Sequence, residues 1–460
     1  MRTGRMVLLV LSMVVALLTG CSLTEPGSGG TVRGEWHGTI ELPAQPLAVG
    51  VNFTGPDSAT IDIPAQGIVG ASLDKVVTEP GRVEFSVPNV PGDAAFHGRL
   101  DTGTGRITGD FTQSGRTFTL AMERGAVRGR ERPQEPKPPL PYVSEDVTYR
   151  SGDITVAGTL TRPEGQGPFP AVLLITGSGP QDRNEELMGH KPFLVLSDVL
   201  TRVGYAVLRV DDRGVGGTGG VLQEAGYDDL TTDIRAGLDF LRGRPEIDPT
   251  RVGLLGHSEG GYLAPLVAAR PDSGVAFVIS MAGPAVSGAD ILLKQNREIL
   301  RAAGASPEET DAHLAYITEL VGALRTGDLE RARHIIRTHN ESQPEEKRVP
   351  ADQLESIATP YTAAMVGYDP APALSALRMP VLAFFGSKDL QVSAAQNEPV
   401  MRQLLADNPD ATVRTFKGLN HLMQPAGTGL VDEYATIETT IDPVILGAVT
   451  DWLKQRFSRK

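Results

Sequence analysis

The chain has 460 residues, 40% of them hydrophobic, a formal net charge of −13 and one cysteine. That length is more than one ordinary core organises, so two or more folded units are expected. The acidic balance argues against a nucleic-acid binder, which needs clustered Lys and Arg to neutralise phosphates, and the lone cysteine leaves no internal disulfide to form.

The chain opens with Arg2 and Arg5, then an almost unbroken apolar run over residues 6–18, then Leu18-Thr19-Gly20-Cys21. The run is too short to span a bilayer and reads as the core of a signal peptide. Small residues just before a cysteine resemble the bacterial lipobox. That resemblance implies cleavage ahead of Cys21, lipid on its thiol, and attachment to the cell-envelope membrane. The alternative is an ordinary signal peptide with an incidental cysteine. Residues 22–30 (SLTEPGSGG) have the small, polar composition of a flexible tether.

Residues 31–124 change texture. Short alternating stretches such as AVGVNF (48–53), RVEFSV (82–87) and RITGDF (106–111) are separated by Gly, Pro, Asn and Asp. That spacing predicts about eight antiparallel strands in a small barrel or sandwich. Trp36, His37, Phe96 and His97 would line either a ligand surface or the core, and aromatics in alternating strands favour core. No catalytic constellation lies here, and no partner for this β domain can be named. Residues 125–142 follow, with five prolines and no periodic apolar face, as a stiff, extended spacer.

From Val143 the rhythm becomes strand, turn, helix. PAVLLI (170–175) runs into Thr176-Gly177-Ser178-Gly179-Pro180, YAVLRV (205–210) into Asp211-Asp212-Arg213-Gly214, and RVGLL (251–255) into Gly256-His257-Ser258. VAFVIS (275–280) and PVLAFF (380–385) complete the set, with helical stretches such as 228–244 between. Short apolar strands alternating with helices indicate a mostly parallel sheet covered on both faces, with ligands bound beyond the carboxyl ends of its strands. Residues 284–370 break the rhythm. They are helix-like and charged, with no convincing strand, and are expected to form an inserted helical cap.

Gly256-His257-Ser258-Glu259-Gly260 is a G-x-S-x-G string that follows an apolar strand and opens a helix. That is the context of a nucleophile elbow. A serine hydroxyl attacks only when a base takes its proton, and the base is expected in the order Ser, acid, His. Of the four histidines after Ser258, three (His313, His334, His339) fall in the proposed cap, whereas His421 follows the strand-like ATVRTF (411–416). Asp389 follows PVLAFF directly and would orient the imidazole. For the oxyanion, one donor is the backbone N–H of Glu259. The second comes from the loop after PAVLLI, with Ser178 the first choice, Gly179 possible and Pro180 excluded for want of an N–H.

Over residues 143–460 the chain resembles the α/β-hydrolase superfamily, and within it bacterial esterases and peptidase-like hydrolases carrying GSGPQDR, DxRG and GHSEGG. Here these are residues 177–183, 211–214 and 256–261, with the acid motif at 386–392. Thr176 stands where many relatives have histidine. The resemblance implies an α/β-hydrolase fold preceded by a small all-β domain, and a carboxylic ester hydrolase using Ser258, Asp389 and His421. It would act on small-molecule esters, without cofactor or metal: there is no H-E-x-x-H, no cysteine cluster and no nucleotide-binding fingerprint. A serine aminopeptidase or dipeptidyl-peptidase is the rival on the same fold, and an inactive envelope binding lipoprotein the rival from another class. For a peptidase, Glu185 and Glu186 would have to hold the substrate ammonium. The plainer reading of residues 182–186 is a solvated turn and helix start.

Overall fold

The computed structural model describes residues 32–41, 47–64, 68–88, 90, 93–127, 132–344, 348–349 and 354–457. The apolar run 6–18, Cys21 and the tether 22–30 lie outside the described residues.

The first unit is built from β1 (Gly34–Ile40), β2 (Leu47–Phe53), β3 (Ala59–Ile63), β4 (Ile68–Ser72), β5 (Asp74–Glu79), β6 (Arg82–Ser86), β7 (Ala95–Asp101), β8 (Arg106–Gln113) and β9 (Arg116–Arg124). All pairings are antiparallel, in the order β4-β3-β2-β1-β9-β8-β7-β6-β5. The edge strands β4 and β5 are separated by Leu73 alone, so the sheet curls until its two edges meet there. The strand period of two puts one set of side chains inside this curl. Trp36 and Phe96 are core, packed with Phe53 and Phe85, whereas the neighbouring His97 points out to solvent.

Residues 132–142, part of the expected stiff spacer, are docked on the second unit. Arg132 donates to the carbonyls of Gly189 (3.1 Å), Met188 (3.0 Å), Ala435 and Ile437. The Gln134 amide pairs with Thr440 and Ile441, and Tyr142 donates to Asp198 at 2.8 Å. Loop carbonyls have no ladder partner of their own, and a planar guanidinium can donate to several at once.

The second unit begins with a hairpin the sequence reading did not anticipate, β10 (Val143–Ser151) and β11 (Ile154–Arg162). Then follow β12 (Phe169–Ile175), α1 (Pro192–Arg202), β13 (Ala206–Val210), α2 (Tyr227–Arg242), β14 (Ile247–His257), α3 (Gly260–Ala268) and β15 (Val278–Met281). Among the described residues the helices that follow include α4 (Gly288–Ala302), α5 (Pro307–Arg325), α6 (Leu329–Ser342), α7 (Pro360–Gly367) and α8 (Ala371–Ala376). The chain ends with β16 (Val381–Gly386), α9 (Ala394–Leu404), β17 (Ala411–Phe416) and α10 (Pro443–Phe457).

The sheet order is β10-β11-β13-β12-β14-β15-β16-β17, parallel from β13 to β17, with β11 antiparallel to β13. The central strands β12 and β16 are apolar throughout and buried at every position, because both faces are covered. Leu173, Leu208, Leu254 and Phe385 enter one core with α2, α3 and α9, while Leu174, Val207, Leu255 and Phe384 enter the other with α1 and α10. This strand order, with helices on both faces, is that of the α/β-hydrolase fold. The helices α4 to α7 carry a core of their own, around Ile317, Leu320, Leu324, Ile336 and Val366.

Candidate active site

The strand order turns back on itself at β12, which lies between β13 and β14. Ile175 pairs with Gly256, so the loop after β12 and the turn after β14 leave the sheet side by side. Loops that diverge at such a point leave a crevice at the strand ends.

Ser258 sits at the tip of the β14–α3 turn with φ +52°. A left-handed residue with a side chain is strained by about 1–3 kcal/mol, a cost tolerated where surrounding structure over-determines it. Three glycines allow the tight turn. A Cβ at Gly256 would run into the carbonyl of Gly260, one at Gly260 into the carbonyl of Ile175, and one at Gly261 into Gly283. The Ser258 N–H donates to Met281 O at 3.0 Å, locking the elbow onto β15.

His421 and Asp389 lie in the loops after β17 and β16, both about 4% exposed. His421 Nδ1 donates to Asp389 Oδ2 at 2.8 Å, and Asp389 Oδ1 accepts the N–H groups of Gln391 and Val392, each at 2.8 Å. The carboxylate is thus aimed from behind and leaves Nε2 of His421 as the free ring nitrogen. The His257 ring, one residue before Ser258, lies tilted at 44° to the His421 ring with centroids 4.8 Å apart. Acid and base are directly bonded, and the elbow serine is the chain neighbour of His257, whose ring lies beside that of His421. No hydrogen bond joins Ser258 to His421; such bonds are often long until substrate closes the site.

Three N–H groups follow β12 in series. That of Gly177 donates to Glu185 Oε1 at 2.7 Å and that of Gly179 to the Tyr361 hydroxyl at 2.8 Å. Ser178 N–H, between them, and Glu259 N–H have no acceptor among the described residues. The loop is braced by the two aspartates after β13. Asp212 accepts from Thr176 Oγ1 (2.8 Å) and Gln181 N–H (2.9 Å), and Asp211 accepts from the main chain and guanidinium of Arg183. Thr176 thereby does structural duty through its hydroxyl. Burial pushes Asp212 well above the usual carboxylate range.

Glu185 corrects the sequence reading. It is not in a solvated turn: its side chain is 4% exposed and hydrogen-bonded to Gly177 and to His257 Nδ1 (2.8 Å). Nor does a helix start there, since α1 begins at Pro192. The turn is folded inward by Glu185 itself, at φ +54°. Glu186 lies outside this pair, 3.7 Å from Lys191. The Glu259 side chain is buried and accepts hydroxyl hydrogens from Tyr227 (2.8 Å) and from Tyr361 on α7. Burial, against the pull of those two tyrosines, pushes its pKa up to about 7.

Tyr361 was invisible to motif reading because α7 lies far along the chain. His257 had a signal, as part of G-H-S, but nothing in sequence pairs it with Glu185. Among the described residues no cluster of His, Cys, Asp and Glu is arranged to hold a metal ion.

Residues 151–409 match the X-Pro dipeptidyl-peptidase (S15) family. The chain belongs to that family. Over 323 residues it is 27% identical to esterase EstD of Thermotoga maritima, covering 68% of this chain and 70% of that one. Over 130 residues it is 33% identical to YuxL, an uncharacterized peptidase of Bacillus subtilis, covering 26% of this chain and 19% of the relative. Among solved structures it is similar to the Pyrococcus furiosus esterase Pf2001, at 17% identity and TM-score 0.43, covering 72% of this chain and 99% of that one. As a member of the S15 family with this strand order, the chain is an enzyme, a serine hydrolase on the α/β-hydrolase fold.

Proposed function

We propose that this enzyme is a carboxylic ester hydrolase acting through an acyl-enzyme, with Ser258 as nucleophile, His421 as base and Asp389 as the group that orients it. His421 Nε2 takes the Ser258 proton as Oγ attacks the ester carbonyl. The oxyanion is held by the N–H groups of Ser178 and Glu259. The alcohol leaves with the proton from His421. Water, deprotonated by the same nitrogen, then releases the acid and returns the proton to Ser258. The helices α4 to α8 serve as a cap over this site, and a lipid on Cys21 holds the exported enzyme at the envelope membrane.

The observation that carries the ester reading is the state of the carboxylates beside the nucleophile. Peptidases that trim a free N-terminus need a carboxylate open to the substrate ammonium. Glu185 and Glu259 are buried and already bonded to His257, Gly177, Tyr227 and Tyr361. The likeness to an esterase over two thirds of the chain supports the same reading. The S15 family description favours the second reading, a dipeptidyl-peptidase.

The test is kcat/KM on one preparation for short-chain p-nitrophenyl esters and for aminoacyl and dipeptidyl p-nitroanilides. Esters should be cleaved far faster, and Ser258→Ala should abolish labelling by a fluorophosphonate. Faster anilide cleavage would make this a peptidase. Undiminished labelling of the variant would move the nucleophile elsewhere.

A further inference from the structure

His257 is enclosed by two acceptors. Its Nδ1 lies 2.8 Å from Glu185 Oε1 and its Nε2 lies 3.1 Å from the main-chain carbonyl of His421. Neither a carboxylate nor a carbonyl brings a hydrogen to the contact, so an imidazole that satisfies both must carry a hydrogen on each nitrogen. That is an imidazolium. Both side chains are 4% exposed, and the second carboxylate oxygen of Glu185 is buried with no hydrogen-bond partner among the described residues. A negative charge so placed has its compensation in His257.

The same pair touches three parts of the site. Glu185 Oε1 also accepts the N–H of Gly177, next to Ser178 in the loop after β12. His257 is the chain neighbour of Ser258, and its Nε2–H holds the carbonyl of the residue that carries the base. Nucleophile turn, oxyanion loop and base loop meet on two side chains that do not reach the reacting atoms.

We propose that Glu185 and His257 form a second histidine–carboxylate pair, kept as imidazolium and carboxylate, that positions the main chain of His421 against Ser258 and ties both to the loop bearing Ser178. Glu185 and His257 are positioning residues in this scheme. Burial draws the His257 imidazole toward its neutral form, and the Glu185 carboxylate outweighs it, leaving His257 above the usual histidine range. The titratable groups facing the pair are Asp389, beyond His421, and Asp212, beyond Glu185. The positive ring stands 4.8 Å from the His421 ring.

The inference rests on the assignment of Ser258 and His421 made above, and the experiment separates the two. Full-length protein labelled with ¹⁵N-histidine reports His257 directly, its signal identified by loss in His257→Gln. Both ring nitrogens should be protonated at pH 7. A neutral ring there overturns the proposal without any variant having to fold. In Glu185→Gln, which keeps an acceptor and loses the charge, phosphonylation of Ser258 by a fluorophosphonate should slow about tenfold. The loss should fall on kcat, with KM little changed. Glu185→Asp should restore part of the rate. Wild-type protein that resists the probe would refute the Ser258 assignment itself. Wild-type protein that reacts, beside an equally fast Glu185→Gln with the same kcat, would refute the positioning pair alone.

Discussion

Glu259 supplies two different things from one position. Its N–H is proposed for the oxyanion, and its side chain turns the other way into a pair of tyrosine hydroxyls. A carboxyl whose pKa rises from 4.5 to about 7 on folding binds its proton more tightly in the folded state. Its contribution to stability is complete below pH 4.5 and is lost as pH climbs to about 7, by ~3 kcal/mol at 1.36 kcal/mol per pH unit. Glu259→Gln has no proton to lose. The variant should therefore gain stability relative to the wild type by about 3 kcal/mol between pH 4.5 and 7. Denaturant midpoints across that range measure the difference. A constant difference would mean that Glu259 ionises in the folded protein as it does in the unfolded chain.

At the scale of elements, the contact that matters is α7 against the loop after β12. Tyr361 of α7 reaches this loop: its hydroxyl accepts from the Gly179 N–H and donates to Glu259. The inserted helices thus hold the N–H series in which Ser178 is the free member. Tyr361→Phe keeps the ring and its packing but leaves Gly179 N–H without an acceptor. A buried donor left unpaired costs roughly 1–3 kcal/mol. If about half of that is felt only as the oxyanion forms, kcat should drop about tenfold while KM stays within about twofold. Steady-state kinetics on a p-nitrophenyl ester decide this, and equal kcat values would mean that the loop holds its shape unaided. The hairpin of β10 and β11 makes a related point. Its strands alternate polar and apolar residues on the antiparallel flank of the sheet, so they lack the continuous apolar run that marks β12 or β16.

For the whole molecule, the proposed lipid on Cys21 sets where the chemistry happens. A single acyl chain binds membranes only marginally, whereas two or more chains anchor stably. Lipidated protein should pellet with membranes, and Cys21→Ser should remove incorporation of labelled fatty acid and release active enzyme. Continued incorporation in Cys21→Ser would refute the anchor. Among the described residues no helix is long and apolar enough to cross a membrane.

The parallel sheet and the elbow turn were legible in the sequence because each is a local pattern, and the roles proposed for Ser258, Asp389 and His421 rest on patterns of the same kind. An apolar strand buried on both faces, a glycine-flanked turn and an acid just past a strand end all declare themselves within a few residues. The bonds that brace the site were not legible. Glu185 meets His257 across 72 residues and Tyr361 meets Glu259 across 102. Whether a glutamate in a polar turn faces water or a buried imidazole depends on which loops the sheet order brings together. That order was decided by the packing of β12 between β13 and β14, where two loops distant in the chain become neighbours. Local sequence chose the chemical groups, and tertiary structure chose their partners, because burial makes an unpaired charge too costly to leave alone.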